Sequence, residues 1–402
     1  MVQRFAFLLA FLCTSTSFAQ ETTIMLPSYR QDSALTAYWF PTSAPASDRA
    51  PAIIALHGCS GALDSKGKLT AKWKELAVWF NREGMHLLVL DSFTPRGIKS
   101  ICEIPNRERT LGEQERREDV FAAIRWLAAR RDVDSDRIVI AGWSHGAQTV
   151  LKTLDRSDPF VARQPTQPRA AVAYYPGCSA TNRTPDYALS APLLIMAGEL
   201  DDWTPAKACV ELAERLRAPG INNQTHAGIE LIVYPGSYHG FDGTAPVTLR
   251  RNVGNTRSGT ATVGGNPEAR INSRERLFDY LAEKLDRPLR LSHAQRFFTH
   301  TQEIPPASGF ARYDDANAVP LGDKGRQRYA HFLTLPKPKA FVITEKGGWF
   351  MSADNVNAIS TAFSYCPQEM TCWLYAVDDR VVWEKERPRR LSVATDGETS
   401  HE

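Results

Sequence analysis

A serine lies at the centre of a short segment framed by glycines, since Gly142 to Gly146 reads Gly-Trp-Ser-His-Gly. The apolar run Arg137 to Ala141 precedes this segment, and a stretch able to form a helix follows it. This context is typical of a nucleophilic serine on a tight turn between a strand and a helix, where flanking glycines relieve crowding. The pattern predicts that Ser144 attacks an acyl carbon from the positive end of a helix.

A serine hydroxyl needs a base within hydrogen-bond reach and a third group that orients the base. The carboxylates Asp201 and Asp202 follow one later apolar run, and His239 follows the next. Both positions lie after strand ends, where the active sites of α/β enzymes form. We predict a triad of Ser144, His239 and Asp201. Asp202 is the alternative acid, because adjacent residues point in different directions and only one can face the imidazole.

Acyl transfer also needs hydrogen-bond donors for the developing oxyanion, each contributing about 3 kcal/mol. The stretch Leu56 to Gly61 closes an apolar run with a glycine-rich turn of the kind that presents backbone N–H groups. The predicted donors are the backbone amides of Cys59 and His145. His57, in the same turn, is predicted to be structural rather than catalytic.

Three further residues are candidates for substrate binding. Arg96 could hold a substrate carboxylate with a bidentate contact, and a structural salt bridge is the equal alternative. Trp143 and Tyr238 flank triad members and could line an acyl or alcohol pocket. Packing beneath the active-site rim explains these two aromatic residues equally well.

The elements that must position these residues follow a strand and helix alternation. Six short apolar runs read as buried parallel strands: Ala52 to Leu56, His86 to Leu90, Arg137 to Ala141, Ala170 to Tyr174, Leu193 to Met196 and Leu231 to Tyr234. Amphipathic stretches lie between them at Lys72 to Phe80, Glu113 to Ala129, Pro205 to Leu216 and Arg274 to Leu285, and edge-strand candidates precede them at Thr23 to Met25 and Leu35 to Phe40. The pattern predicts an α/β fold with a doubly wound, mostly parallel sheet.

Two stretches interrupt this alternation, Ser92 to Leu111 and Gly243 to Asn272. Turn-forming residues dominate the second, so both are predicted to be surface loops. Loops of this length in a compact domain are often functional lids, and a disordered insertion is the alternative for the second loop.

Several segments together resemble the dienelactone hydrolase family, over about residues 30–290. They are His57-Gly58, Asp91-Ser92-Phe93 with Arg96-Gly97, the turn around Ser144, Tyr175-Pro176-Gly177-Cys178, Gly198-Glu199-Leu200-Asp201 with Trp203-Thr204-Pro205, and Tyr234-Pro235-Gly236 before His239. The resemblance implies an α/β-hydrolase domain with a triad at Ser144, Asp201 and His239. The namesake lactone hydrolases of the family use a cysteine nucleophile, so the serine argues against dienelactone itself as substrate. The chain is more similar to an exported branch that has a serine nucleophile.

The two ends of the chain indicate export and a second domain. Residues 1–19 read as a signal peptide, with Arg4 before an apolar run and Ser17-Phe18-Ala19 before the cleavage site. An uncleaved anchor is the alternative. We predict a hydrolase domain over residues 20–300, a small accessory α+β domain over 301–385, and a disordered tail over 386–402. The predicted location is periplasmic or secreted.

Within the accessory domain, the sequence predicts strands at Phe341 to Thr344 and Cys372 to Val377, with a helix at Val356 to Tyr365 between them. Exposed Trp349 or Trp383 could bind a ligand, although core filling is the better interpretation. We attach no chemistry to this domain from its sequence.

Six cysteines remain after the predicted signal peptide, at positions 59, 102, 178, 209, 366 and 372. An even number in an exported chain makes disulfides the expectation, with free buried thiols as the alternative. Six cysteines allow 15 connectivities. Cys366 and Cys372 are close enough in sequence to be the first predicted pair.

Composition excludes several other classes of function. The net charge is only +3, and the basic residues are spread among acidic ones, so no nucleic-acid partner is predicted. The motifs for metal, nucleotide and nicotinamide binding are missing, which predicts a hydrolase without a cofactor acting on a small ester or lactone. No stretch after the signal has the length of a membrane span. A peptidase or amidase on the same fold and a non-catalytic binding protein with a decayed hydrolase domain are the alternatives.

Overall fold

The computed structural model describes residues 21–30, 34–42, 49–218, 228–288, 306–353, 358, 359, 362, 365 and 371–384. The chain divides into two compact units, Met1–Arg290 and Leu291–Glu402. The predicted signal peptide, the predicted tail, Cys366 and most of the helix predicted at Val356 to Tyr365 lie outside the described residues.

The first unit contains an eight-stranded sheet in the order β1-β2-β4-β3-β5-β6-β7-β8. Its strands are β1 Thr22–Pro27, β2 Ala34–Phe40, β3 Ala50–Leu56, β4 His86–Asp91, β5 Val133–Trp143, β6 Ala170–Tyr174, β7 Leu193–Gly198 and β8 Ile229–Tyr234. Strands β1, β2 and β4 pair antiparallel, and the remaining pairs are parallel. The predicted α/β fold with a mostly parallel sheet is confirmed.

Helices connect these strands at α1 Ala71–Arg82, α2 Glu113–Ala128, α3 His145–Thr153, α4 Pro159–Ala162, α5 Ser179–Asn182, α6 Ala206–Arg217 and α7 Pro267–Lys284. Every residue of β3, β4, β6 and β7 is buried, which explains why these strands read as unbroken apolar runs. Among the described residues, no helix is both long and apolar enough to cross a membrane.

The prediction of a loop over Gly243 to Asn272 is wrong in two respects. It contains an antiparallel hairpin of β9 Thr248–Arg251 and β10 Thr260–Val263, and α7 begins at Pro267 rather than at Arg274. The hairpin strands have four residues each and are largely polar, so they lack an apolar period. The helix starts early because the side chain of Asn266 accepts hydrogen bonds from the backbone N–H groups of Glu268 and Ala269. The next residue, Pro267, is also favoured in the first turn of a helix.

Two disulfides tie loops near the carboxyl ends of the strands. Cys59 is bonded to Cys102, and Cys178 to Cys209. The first joins the turn after β3 to the stretch Ser92 to Leu111, which itself holds only two short 3₁₀ turns. Cys372 is also disulfide-bonded.

The second unit has a four-stranded antiparallel sheet in the order β12-β11-β13-β14 and a helix, α8 Asp323–Leu333. Its strands are β11 Ala340–Thr344, β12 Trp349–Ser352, β13 Cys372–Val377 and β14 Arg380–Val381. Tyr329 and Phe332 of α8 pack against Phe341 of β11. Trp349 and Trp383, the two candidate ligand-binding tryptophans, are half-buried against this core.

Candidate active site

Ser144 occupies the turn between β5 and α3 with a backbone φ of 54°, a left-handed conformation that non-glycine residues rarely adopt. A Cβ atom at Gly142 would lie 2.3 Å from the carbonyl oxygen of Gly146. At Gly146 it would lie 2.2 Å from the carbonyl oxygen of Leu56. Both glycines are therefore required for the turn to pack, as the sequence predicts.

The three residues predicted as a triad lie in one hydrogen-bonded line. His239 Nε2 is 2.9 Å from the hydroxyl oxygen of Ser144, and His239 Nδ1 is 2.9 Å from Oδ2 of Asp201. The side chain of Asp201 is fully buried, and that of His239 is nearly so. This geometry lets the imidazole take a proton from the serine while the carboxylate fixes its orientation.

Asp201 is held by a network that the sequence did not reveal. Its Oδ1 accepts the backbone N–H groups of Trp203 and Thr204, and its Oδ2 accepts the hydroxyl of Thr204 at 2.9 Å. The same hydroxyl oxygen lies 3.1 Å from His239 Nδ1. Thr204 is thus an additional site residue. Its signals in the sequence were its place three residues after the acid and its presence in the segment Trp203-Thr204-Pro205, which belongs to the family resemblance.

Asp202, the alternative acid, faces a different partner. Its two carboxylate oxygens accept the backbone N–H and the hydroxyl of Thr262 in β10, at 2.7 and 2.9 Å. Val263, the next residue, pairs with His239, and Gly264 donates its backbone N–H to the carbonyl of His239. Asp202 therefore anchors the hairpin to the acid loop, and the hairpin in turn supports the histidine loop.

Aromatic rings enclose the imidazole of His239. Tyr175 lies 4.6 Å from it and Trp203 lies 4.7 Å from it, measured between ring centroids. Tyr175 has a φ of 41°, so its ring is presented by a strained backbone of the kind found at functional sites. These contacts leave the imidazole little freedom to rotate away from the serine.

A buried carboxylate, Asp242, joins the site from the loop after His239. It accepts hydrogen bonds from Lys72 Nζ, Trp143 Nε1 and the Tyr175 hydroxyl at 2.7 to 2.8 Å. Burial acts to raise the pKa of Asp242, but the Lys72 charge and the hydrogen bonds outweigh burial and lower it. The residue is therefore ionised and locks Tyr175 in place. Its only signal in the sequence was its position three residues after the histidine.

The candidate oxyanion turn lies beside the serine. A Cβ atom at Gly58 would be 3.4 Å from Cβ of Ser144, which places the turn in contact with the nucleophile. The backbone N–H of Ser144 donates to Tyr174, so other amides must serve the oxyanion. The carbonyl of Cys59 accepts the N–H of Ile101, and its disulfide adds a second attachment.

Two buried histidines brace this region as neutral rings. Burial, and next the charge of Arg116, hold the pKa of both His57 and His145 well below 6.5. The Nε2 atom of His57 accepts the backbone N–H of Ser92, so its proton is on Nδ1, 2.8 Å from the carbonyl oxygen of Gly58. The prediction that His57 is structural agrees with these contacts.

These two histidines should make stability depend on pH. Because their pKa is lower in the folded state, the unfolded chain binds more protons below about pH 6.5, and stability falls as the pH drops. Each neutral histidine contributes about 1.4 kcal/mol per pH unit in that window. We expect the free energy of unfolding of His145→Gln to decline less steeply than that of wild type between pH 6.5 and 5, measured by urea denaturation. Parallel curves would contradict the assignment.

Arg96 makes the structural salt bridge that was the alternative to substrate binding. Its Nη1 and Nη2 atoms each lie 2.8 Å from an oxygen of buried Asp119, and Nη1 also donates to the carbonyl of Ser92. The guanidinium fork is thus engaged by the protein itself. Trp143 packs on Tyr174 with stacked rings and is buried, whereas Tyr238 is half-buried beside His239.

We expect Arg96→Ala to lower stability and to leave substrate selectivity unchanged. Loss of the bidentate contact leaves Asp119 buried without that partner, which costs about 2 kcal/mol. The check is thermal unfolding together with KM for two esters, one neutral and one bearing a carboxylate. A KM that rises for the carboxylate ester alone would indicate that Arg96 binds the substrate.

A family model for the dienelactone hydrolase family matches residues 36–285, more than half of the chain. The chain belongs to the dienelactone hydrolase family. The match runs from β2 to α7 and includes Ser144, Asp201 and His239. Family membership identifies the first unit as a hydrolase domain and indicates hydrolysis of esters or lactones.

Individual proteins that are similar to this chain share 17% to 28% sequence identity with it. The chain is 25% identical over 225 residues to a Bradyrhizobium protein named "Probable 2-oxo-3-(5-oxofuran-2-ylidene)propanoate lactonase", covering 52% of this chain and 82% of that protein. It is 28% identical over 150 residues to a Grosmannia clavigera protein named "Probable dipeptidyl-aminopeptidase B", covering 32% of this chain and 15% of that protein. Among solved structures, Thermogutta terrifontis esterase 2 is similar with a TM-score of 0.47 and 17% identity, covering 70% of this chain and 100% of that one.

Proposed function

We propose that this protein is an exported serine hydrolase that cleaves a carboxylic ester or lactone through an acyl-enzyme on Ser144. The observation that carries the proposal is the line of contacts from the Ser144 hydroxyl through His239 to buried Asp201, with both links at 2.9 Å. Such a line is the geometric requirement for activating a serine at neutral pH.

The reaction has two acyl-transfer steps. His239 Nε2 takes the hydroxyl proton as the oxygen of Ser144 bonds to the acyl carbon, which gives a first tetrahedral intermediate. Collapse of this intermediate breaks the bond between the acyl carbon and the alcohol oxygen, and the imidazolium gives its proton to the departing alkoxide. In the second step, His239 takes a proton from water, and the hydroxide attacks the acyl-enzyme. Collapse of the second intermediate breaks the bond to the Ser144 oxygen, which recovers the proton, and releases the carboxylic acid. Asp201 accepts the hydrogen bond from His239 Nδ1 and so stabilises the imidazolium in both steps.

The backbone amides of Cys59 and His145 are the proposed oxyanion donors. His145 is the first residue of α3, so its N–H is among those without a partner inside the helix. The turn that holds Cys59 contacts Ser144 through Gly58. Two donors from separate elements could thus converge on one side of the acyl carbon.

The substrate class follows from the family and its lactonase relative. That relative matches this chain over 82% of its own length, whereas the aminopeptidase match covers 15% of the other protein. An ester or lactone is therefore better supported as the substrate than a peptide is. The two disulfides of the first unit support folding in an oxidising compartment, in accord with export.

The test is covalent labelling of the purified protein with a fluorophosphonate probe, followed by proteolysis and mass spectrometry. We expect a single modified site at Ser144, together with p-nitrophenol release from acetate and butyrate esters. Prior treatment with the probe should abolish that release in proportion to the labelled fraction. A folded protein that neither labels nor hydrolyses these esters or a simple lactone would refute the proposed function.

A further inference from the structure

A fully buried cation, Arg116 in α2, lies beneath the candidate oxyanion turn with 1% of its surface exposed. Placing a cation there without partners would cost several kcal/mol. Burial lowers the pKa of Arg116 to about 10, and the negative charges of Asp119, Glu113 and Asp91 offset part of that effect. The guanidinium therefore stays positive at neutral pH, and the fold retains it despite the cost of burial.

Its two terminal nitrogens bind two different parts of the proposed oxyanion site. Nη2 donates to the carbonyl oxygen of His57 at 2.8 Å, and Nη1 lies 2.7 Å from Nδ1 of His145. His57 belongs to the turn after β3, and His145 begins α3 directly after the nucleophile. One rigid planar group thus bridges the two elements that supply the candidate donors.

The contact with His145 has only one possible direction. A guanidinium has donors and no acceptor, so Nδ1 of the imidazole must accept and the proton must be on Nε2. Nε2 in turn lies 3.3 Å from a carboxylate oxygen of Glu113. The contact with Arg116 at Nδ1 therefore fixes the ring of the residue that carries one of the candidate amides.

The contact with His57 acts on the other candidate amide. Arg116 holds the carbonyl of His57, and the His57 ring donates from Nδ1 to the carbonyl of Gly58. The Gly58 carbonyl and the Cys59 N–H belong to the same planar peptide unit. Fixing the carbonyl on one side therefore fixes the direction of the N–H on the other.

We propose that Arg116 is a positioning residue that sets the separation and direction of the two oxyanion donors, the amides of Cys59 and His145. The inference rests on the proposed serine-hydrolase function. Arg116 is buried and acts through the carbonyl of His57 and the side chain of His145. Its loss should therefore reduce stabilisation of the tetrahedral intermediate while leaving binding of the substrate itself intact.

The adjacent residue offers a matched control. Arg117 is also buried, with 2% exposure, but it pairs with Asp158 and stacks on the ring of Phe160. A lysine at either position keeps the charge and loses the planar fork that binds two partners at once. Arg116→Lys and Arg117→Lys should therefore destabilise the fold to a similar degree.

The experiment compares kcat, KM and thermal unfolding of wild type, Arg116→Lys and Arg117→Lys with p-nitrophenyl butyrate. Removing one oxyanion donor lowers kcat about 10²- to 10³-fold, so displacing the donors should lower it about 10- to 100-fold in Arg116→Lys, with KM within about threefold. Arg117→Lys should keep kcat within about threefold. The affinity for a trifluoromethyl ketone, which forms an oxyanion on the serine, should fall by the same factor as kcat/KM.

Equal kcat values in the two folded lysine variants, or unchanged ketone affinity in Arg116→Lys, would overturn the proposal. If Arg116→Lys does not fold, His145→Ala provides the second test, because it removes the side chain that Arg116 holds and keeps the amide. Its kcat should fall while KM is retained, and an unchanged kcat would overturn the proposal. Wild type without labelling or turnover would instead refute the serine-hydrolase function, so the two failures are distinguishable.

Discussion

Ser144→Ala should lose at least about 10⁴-fold in kcat for p-nitrophenyl esters, with residual turnover that does not pass through an acyl-enzyme. The hydroxyl oxygen of Ser144 is the proposed nucleophile, and His239 Nε2 lies 2.9 Å from it. Removing that oxygen eliminates the covalent step, whereas the proposed oxyanion amides and the imidazole stay in place.

The measurement is single-turnover and steady-state hydrolysis, with fluorophosphonate labelling of the same preparations. Thermal unfolding serves as the control, and we expect little change because the side chain lost is small and the backbone at φ 54° is imposed by its neighbours. A folded Ser144→Ala protein that retains labelling or more than about one hundredth of wild-type kcat would exclude Ser144 as the nucleophile.

Asp201→Asn should lower kcat about 10³- to 10⁴-fold with little change in the fold. The amide oxygen of asparagine can take the place of Oδ1 and accept the backbone N–H groups of Trp203 and Thr204. Its NH2 group then replaces Oδ2 and presents a donor to His239 Nδ1, which needs an acceptor there. The histidine would then favour the tautomer that carries its proton on Nε2 and so could not receive the proton of the serine. The loss should appear in kcat rather than KM, because orientation of the base matters only as the transition state forms.

Asp202→Asn is the matched control, one residue away in the same loop. Its side chain binds Thr262 in the hairpin, so we expect kcat within about threefold of wild type and a stability loss of about 1 kcal/mol. The paired variants are compared by kcat, KM and urea denaturation. A larger kcat loss in Asp202→Asn than in Asp201→Asn would reverse the assignment of the acid.

The positions of the candidate triad were accessible from sequence because each follows a recognisable strand. The serine turn carries its glycines, and the apolar runs that became β5, β7 and β8 end just before Ser144, Asp201 and His239. Parallel strands bring their carboxyl ends to one edge of a sheet, so residues far apart in the chain were expected to meet. The family was suggested separately, by the resemblance of segments such as those around Ser144 and before His239.

The hairpin of β9 and β10 and the start of α7 were missed because their signals are short and polar. A four-residue strand such as Thr260–Val263 has too few positions to show a period. Its contacts with Asp202 and His239 are long-range and leave no local pattern in the sequence. The cap at Asn266 was a local signal, but the weak apolar pattern of the first turn hid it.

By itself, the sequence determined the parallel-sheet fold and the set of candidate triad residues, because strand burial and tight turns leave local patterns. The family followed from the resemblance of its motifs. Only the tertiary structure decided that Asp201 rather than Asp202 faces His239, that Arg96 binds Asp119, and which cysteines pair in the first unit. It also brought Arg116 and Asp242 to the site. Each of these depends on a side-chain direction or a long-range contact, and neither is encoded in the spacing of residues along the chain.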